Sequence, residues 1–234
     1  MKLNKRMRSG FTLVELLVVI VIIAALAGLT APMVIRQRKK ADQTEAVNNA
    51  RQIGLALFEF ETEYGTFPDN TTAQTVADNT ATAPVAGNTA NDRFRQLFRA
   101  GIAQSEPMFY SKTSYTKKPD GAFETDTNAL AAGENGFGLM EKSDGTGLNA
   151  EGNPSCPLVM TPFDQSLASE KFDFDVYDGK AVILKLDNSV SSYAIVKNTQ
   201  WVMVNGKGLT QTGKDTVWGT SVTPRINYPK AKGL

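Results

Sequence analysis

The side chains able to do chemistry are few and unevenly placed. Among 234 residues there is no histidine and one cysteine, Cys156. That inventory excludes a Ser-His-Asp triad, a Cys-His pair, a His-ligated zinc and a CxxC redox site. Carboxylates alone suffice for glycoside cleavage, yet no acidic pair is singled out by its spacing, and the chain is read as a non-enzyme. Asp173, Asp175 and Asp178, with Asp144 in a glycine-rich stretch, are the candidate oxygen ligands for a hard cation such as calcium. Their spacing departs from an EF-hand loop, which needs glycine at its sixth position and glutamate at its twelfth. Asp173 and Asp175 fall on the outer side of an expected strand and Asp178 in a turn, so no cofactor is assigned. Cys156 has no partner within the chain and reads as a small buried hydrophobe. Trp201 and Trp218 read as core or interface anchors.

One acid stands apart, because Glu15 sits inside an apolar block. Lys2, Lys5, Arg6 and Arg8 give the first ten residues four positive charges and no negative one, and Leu16 to Ile35 is a run of 20 residues without a charged side chain. At about 1.5 Å per residue such a helix spans roughly 30 Å, the thickness of a bilayer's hydrocarbon core. An ionised carboxylate there is costly unless it reaches water or meets a cation. A neighbouring subunit's amino terminus or a side chain of an assembly factor would serve. The basic leader favours a cytoplasmic amino terminus, whereas Arg36, Arg38, Lys39 and Lys40 beyond the run oppose that orientation. A cleaved secretory signal shares this layout, but the run is long for one and the charge jump at Gly10 to Phe11 precedes it. A formal net charge of +1 gives no footprint for nucleic acid.

Beyond the run, Val47, Ala50, Ile53, Leu57, Phe60 and Tyr64 recur every three or four residues and predict an amphipathic helix. A helix from Phe11 to about Tyr64 would be roughly 80 Å long, bent or locally melted between Gly28 and Pro32. Gly65 and Pro68 terminate it. Residues 69 to 90, rich in Thr, Ala and Asn, read as an exposed loop. A short helix is expected from Asn91 to about Ala103, with Phe94, Leu97, Phe98 and Ile102 on one side and Arg93, Arg95 and Arg99 on a solvated face. Gly133 to Pro157 reads as a long irregular excursion. Strands are expected at Lys171 to Tyr177, Lys180 to Leu186 and Val190 to Val196, with Asp178-Gly179 as a hairpin turn and Gln200 to Val204 joining the meander. The fold class is therefore α+β, a long helix packed on a small antiparallel sheet of about residues 171–204.

The stretch Arg8-Ser-Gly-Phe-Thr-Leu-Val-Glu-Leu-Leu17, followed by aliphatic residues, resembles the signal of type IV prepilins and type II secretion pseudopilins. The resemblance implies cleavage between Gly10 and Phe11 by a prepilin peptidase, methylation of the Phe11 amine, a pairing of Glu15 with a neighbour's amino terminus, and a helix-kinking role for Pro32. The phrase Ala50-Arg-Gln-Ile-Gly-Leu-Ala-Leu57 with Glu63-Tyr-Gly-Thr-Phe-Pro68 is similar to major pseudopilins of the secretion type, so the likeness covers residues 1–68. Its implied organisation is a leader at 1–10, a transmembrane and filament-core helix at 11–35, an amphipathic extension at 36–65 and a soluble domain at 66–234. It implies a single pass through a bacterial inner membrane, a periplasmic carboxyl-terminal domain, and a homopolymeric filament. Other pseudopilins, the peptidase, an inner-membrane assembly platform and, before assembly, membrane lipid are the implied partners. Secretion-type members often bind calcium in a carboxyl-terminal loop, which has no recognisable counterpart in this sequence. A type IV pilin for adhesion or DNA uptake and a membrane-tethered periplasmic binding domain stand as alternatives. A tether needs no amphipathic extension, and one cysteine cannot close a pilin's disulfide loop.

Overall fold

The computed structural model describes residues 11–85, 87–125, 128–167 and 170–233. The chain divides between Lys39 and Lys40 into two compact units. Helix α1 (Leu13–Tyr64) is followed by α2 (Asn70–Thr80), α3 (Ala90–Arg99) and a 3-10 turn (Glu106–Phe109). Strands β1 (Gly138–Lys142), β2 (Pro157–Thr161), β3 (Lys180–Lys185), β4 (Val190–Ala194) and β7 (Pro224–Asn227) form an antiparallel sheet in the order β4-β3-β2-β1-β7. Strands β5 (Met203–Val204) and β6 (Lys207–Gly208) make a separate two-stranded hairpin. The fold is α+β.

In the second unit the expected stripe of α1 is the buried one. Ala50, Ile53, Leu57 and Phe60 are buried, with Val47 and Tyr64 packed at the edges of the same core. Arg51, Glu59 and Glu63 are exposed. The helix faces β3, and Gly54 is what allows the approach: a Cβ there would lie 2.1 Å from Asn188 Oδ1 and 3.1 Å from Leu184 Cδ2. The helix stops as expected at Gly65, whose φ of +85° is open to glycine at little cost and whose N–H closes on the Glu61 carbonyl.

The β3–β4 hairpin also lies where alternation placed it, but the rest of the sheet does not. Residues 171–177 are not a strand: Phe172 makes one bridge to Phe163, and the Asp173 carboxylate accepts the Asp175 N–H at 2.9 Å and bends the chain into a turn. The Asp178-Gly179 pair, both at positive φ, leads into β3 instead of joining two paired strands. The partner of β3 is β2, and the segment read as an irregular excursion contains β1. Main-sheet strands thus run from Gly138 to Asn227, whereas Met203 and Val204 pair outside that sheet. β1 and β2 are almost fully buried, so neither shows the alternation that marks a half-exposed strand.

The segment at 69–90 holds a helix rather than a loop. Ala73, Val76 and Ala77 are buried small residues on one face of α2, too small to register as an apolar stripe. Its start is set by Asp69, 1% exposed, whose Oδ1 accepts the N–H groups of Thr71 and Thr72, each at 2.7 Å, and whose Oδ2 accepts the Gly147 N–H at 2.8 Å. The Thr72 hydroxyl oxygen in turn accepts the Asp69 N–H and completes a capping box. Burial pushes the Asp69 carboxyl up, but the bonds from Thr72, Gly147 and Thr71 outweigh it and hold the group below its ordinary range. Asp69→Ala is expected to lower stability by about 3 kcal/mol, through loss of the cap and of the Gly147 tie. With its folded pKa below its unfolded one, the carboxylate's contribution is complete above pH ~4 and is lost as pH falls through the folded value. Urea midpoints of wild type and variant should therefore converge on acidification.

Candidate membrane anchor and assembly site

Thr12 opens α1 as its N-cap. Its N–H and hydroxyl donate to Glu15 Oε2 at 2.8 and 2.7 Å, and the Glu15 N–H returns a bond to Thr12 Oγ1 at 3.3 Å. The acid is thus part of a reciprocal capping box at the positive end of the helix dipole. Thr-x-x-Glu ahead of an apolar run is a readable signal, and it adds Thr12 to the residues of this site. Among the described residues both bonds fall on Oε2 and none on Oε1. Gly10, together with Lys2, Lys5, Arg6 and Arg8, lies outside the described residues. Phe11 is exposed and precedes the cap directly.

From Phe11 to Ile35 every residue is exposed, which leaves a full turn-by-turn aliphatic surface without protein cover. By length and composition this is a helix able to cross a membrane. Helical structure continues through Gly28 and Pro32 without local melting. Pro32 cannot donate to the Gly28 carbonyl. Just before it the Thr30 hydroxyl donates to the carbonyl of Leu26 at 3.0 Å, an extra polar closure that an apolar environment favours. The basic residues that follow, Arg36, Arg38 and Lys40, are exposed, and Lys39 is half-buried.

The candidate cation ligands are not brought together as a cage. Asp144 Oδ1 accepts the N–H and hydroxyl of Thr146 at 2.9 and 2.7 Å, which holds its carboxyl below the ordinary range. Asp173 caps its own turn and Asp178 sits at positive φ in the bend before β3. The acids the fold does gather are Glu106, Asp120 and Glu134, each offering a carboxylate oxygen within 4.8 Å of the others. No local motif announces them, because they lie on three separate segments, Glu106 at the start of the 3-10 turn and Asp120 and Glu134 beyond it. Glu106 accepts the N–H groups of Leu130 and Gly121 at 2.7 and 2.9 Å, and Glu134 accepts that of Ala131 while Lys117 Nζ stands 3.1 Å from its other oxygen. Burial, with Glu134 and Asp120 nearby, pushes Glu106 up against those N–H bonds. These carboxylates tie loops.

The arginines of α3 do not form one solvated face. Arg93 is fully buried and ion-paired with Glu141 of β1 at 3.0 Å, while Arg95 bonds Asp92 at 2.7 Å and the Ala129 carbonyl at 2.7 Å. The helix ends at Arg99, short of the expected Ala103. Cys156 is buried, its thiol directed at the Val217 carbonyl at 3.2 Å and pushed up to about 11 by burial. It is an inert packing residue. Trp218 is buried and donates Nε1–H to the Leu209 carbonyl, whereas Trp201 is 48% exposed.

Residues 5–31 match the family model of the prokaryotic N-terminal methylation motif. The amino-terminal segment is prepilin-like. Parts of the chain are similar to type II secretion system core protein G from several bacteria. Identity to the Aeromonas hydrophila protein is 40% over 72 residues, 31% of this chain and 49% of that one. Identity to the Pectobacterium carotovorum protein is 27% over 148 residues, 63% of this chain and 79% of that one. For Pseudomonas aeruginosa it is 35% over 66 residues, 28% and 46% of the two chains. The chain thus spans about half the length of the Aeromonas and Pseudomonas relatives. No solved structure matches. Within the prepilin-like segment lie Thr12, Glu15 and the whole aliphatic stretch up to Ala31.

Proposed function

We propose that this chain is the structural subunit of a helical pseudopilus of the type II secretion kind, cut between Gly10 and Phe11 and methylated on the new Phe11 amine. The observation that carries the proposal is a methylation motif running directly into an uncovered aliphatic helix with one acid, Glu15, four residues beyond Phe11. Before assembly the helix spans the inner membrane once, with the body in the periplasm. A prepilin peptidase and an assembly platform act on it there, and copies of itself and other pseudopilins are its filament partners.

The assembly step follows from the same side chains. Moving the apolar helix from lipid to a bundle of like helices exchanges one apolar environment for another, so close packing and polar contacts, more than area, drive the association. The Glu15 carboxylate and a neighbour's Phe11 amine form a charge-assisted pair in low dielectric, which sets the axial register. Contacts of this head-to-tail kind do not close on themselves and so build a fibre. Pro32 supplies a break in the hydrogen-bond ladder where the helix can bend. The assembly as proposed invokes no catalytic step and no cofactor. The secretion reading is preferred to a type IV pilin because the matched relatives are named as secretion proteins and because Cys156 is alone and buried.

Intact-mass measurement of the exported protein tests this. The expected mass is that of the chain from Phe11 plus one methyl group, and Gly10→Ala is expected to keep the leader and yield no filament. A species that begins at Met1, or beyond Ala27, refutes the assignment.

A further inference from the structure

We infer that Arg36, Arg38, Lys39 and Lys40 form a cationic collar that binds the phosphate groups of anionic phospholipids where α1 leaves the membrane. The inference rests on the membrane-anchor reading and goes beyond it by assigning these four residues a ligand. They follow immediately on 20 residues that carry no charge and no protein cover, so they emerge at the depth of the head groups. Stems of Lys and Arg can lie along the apolar helix while their charges reach outward.

The charges are also left unneutralised by the protein. None of the four has an acidic partner among the described residues. The acid one turn beyond Arg38, which could pair with it along the helix, is Asp42. Its Oδ2 is instead held by Lys112 Nζ at 2.9 Å.

Geometry favours lipid over a protein occupant. At about 100° per residue Arg36, Lys39 and Lys40 fall within one side of the helix and Arg38 lies on the opposite side. A protein partner on the face of Arg36, Lys39 and Lys40 would leave Arg38 turned away, whereas a head-group layer surrounds the helix and reaches all four. Such a collar holds the subunit in the bilayer and must be released when the helix joins a filament. It also accounts for a positive cluster on the side where topology rules expect few.

Lipid selectivity of the full chain in bilayers tests the collar. Spin-labelled phosphatidylglycerol and phosphatidylcholine, each at trace level in phosphatidylcholine vesicles holding the protein, report the fraction of lipid slowed at the protein surface. Phosphatidylglycerol is expected to associate at least threefold more strongly than phosphatidylcholine, with the preference collapsing in 1 M salt. In R36Q/R38Q/K39Q/K40Q the preference should fall by half or more, while the slowed phosphatidylcholine fraction stays unchanged and shows that the helix is still inserted. The amino-terminal charges are common to both proteins and cancel in the comparison. Equal selectivity in wild type and variant overturns the collar alone. Absence of slowed lipid of either kind overturns the membrane anchor and the collar together.

Discussion

Glu15→Gln is expected to leave the chain processed and inserted while cutting filament yield about tenfold or more, the difference between a charge-assisted and a neutral contact in an apolar setting. Glutamine has the size of glutamate and keeps an oxygen to accept the Thr12 N–H, so the capping box survives in part. What it loses is the negative charge that a neighbour's Phe11 amine would meet. Thr12→Val is the complementary variant, because it removes the 2.7 Å hydroxyl bond to Glu15 and keeps the charge. Filament yield by sedimentation, with intact mass as the check on processing, separates the two. If charge sets the register, Glu15→Gln is the more damaging variant. If the local cap is what matters, Thr12→Val matches or exceeds it and the proposed pairing fails.

The second large effect concerns the body. Arg93→Met is expected to cost about 4 kcal/mol of stability. The Arg93 side chain is 0% exposed, its Nε bonded to Glu141 at 3.0 Å and its Nη1 to Asn70 Oδ1 at 3.0 Å and the Gly87 carbonyl at 2.8 Å. One guanidinium therefore ties α3 to β1, to the start of α2 and to the loop between the two helices. Removing it leaves Glu141 buried with Arg225 as its remaining cation, bonded through Nε at 2.6 Å. A buried carboxylate stripped of one partner carries most of the expected loss, because the desolvation cost stays while the attraction is gone. Arg93→Met combined with Glu141→Leu should recover more than half of it, since Arg225 is 39% exposed and can turn to water. Urea titration followed by the fluorescence of buried Trp218 reads both variants. A double variant no more stable than the single one would show that packing, rather than the orphaned charge, sets the cost.

These residues also mark the limit of sequence reasoning. Arg93, Arg95 and Arg99 look like an ordinary solvated run, and spacing along α3 carries no trace of Glu141, 48 positions away. The helix at Asn70–Thr80 was hidden because its buried face is alanine, threonine and valine, which resemble a polar linker in composition. Its cap, Asp69 with Thr72, was legible in principle but depends on Gly147 for its full set of bonds. Strand β2, PLVMT, lacked the period-two pattern because burial on both faces leaves a short apolar run that could equally be core helix or loop, and β1 and β7 were masked by charged and polar residues, Glu141, Arg225 and Asn227, that only the closed sheet buries or half-buries. The acidic residues at 173 and 175 did alternate, and the pattern misled: carboxylates that accept nearby N–H groups drive turns as readily as they mark an exposed strand face.

What the amino-acid order determined by itself is local and periodic. The uncharged span, the acid near its start, the stripe from Val47 to Tyr64, the stop at Gly65 and the β3–β4 hairpin each depend on residues within a few turns or one hairpin, where geometry follows from spacing. Only the tertiary structure decided the sheet order, the burial of Arg93, the gathering of Glu106, Asp120 and Glu134, and the inert setting of Cys156. Those depend on groups far apart in the chain, and their energies arise from desolvation that exists only once the core has closed.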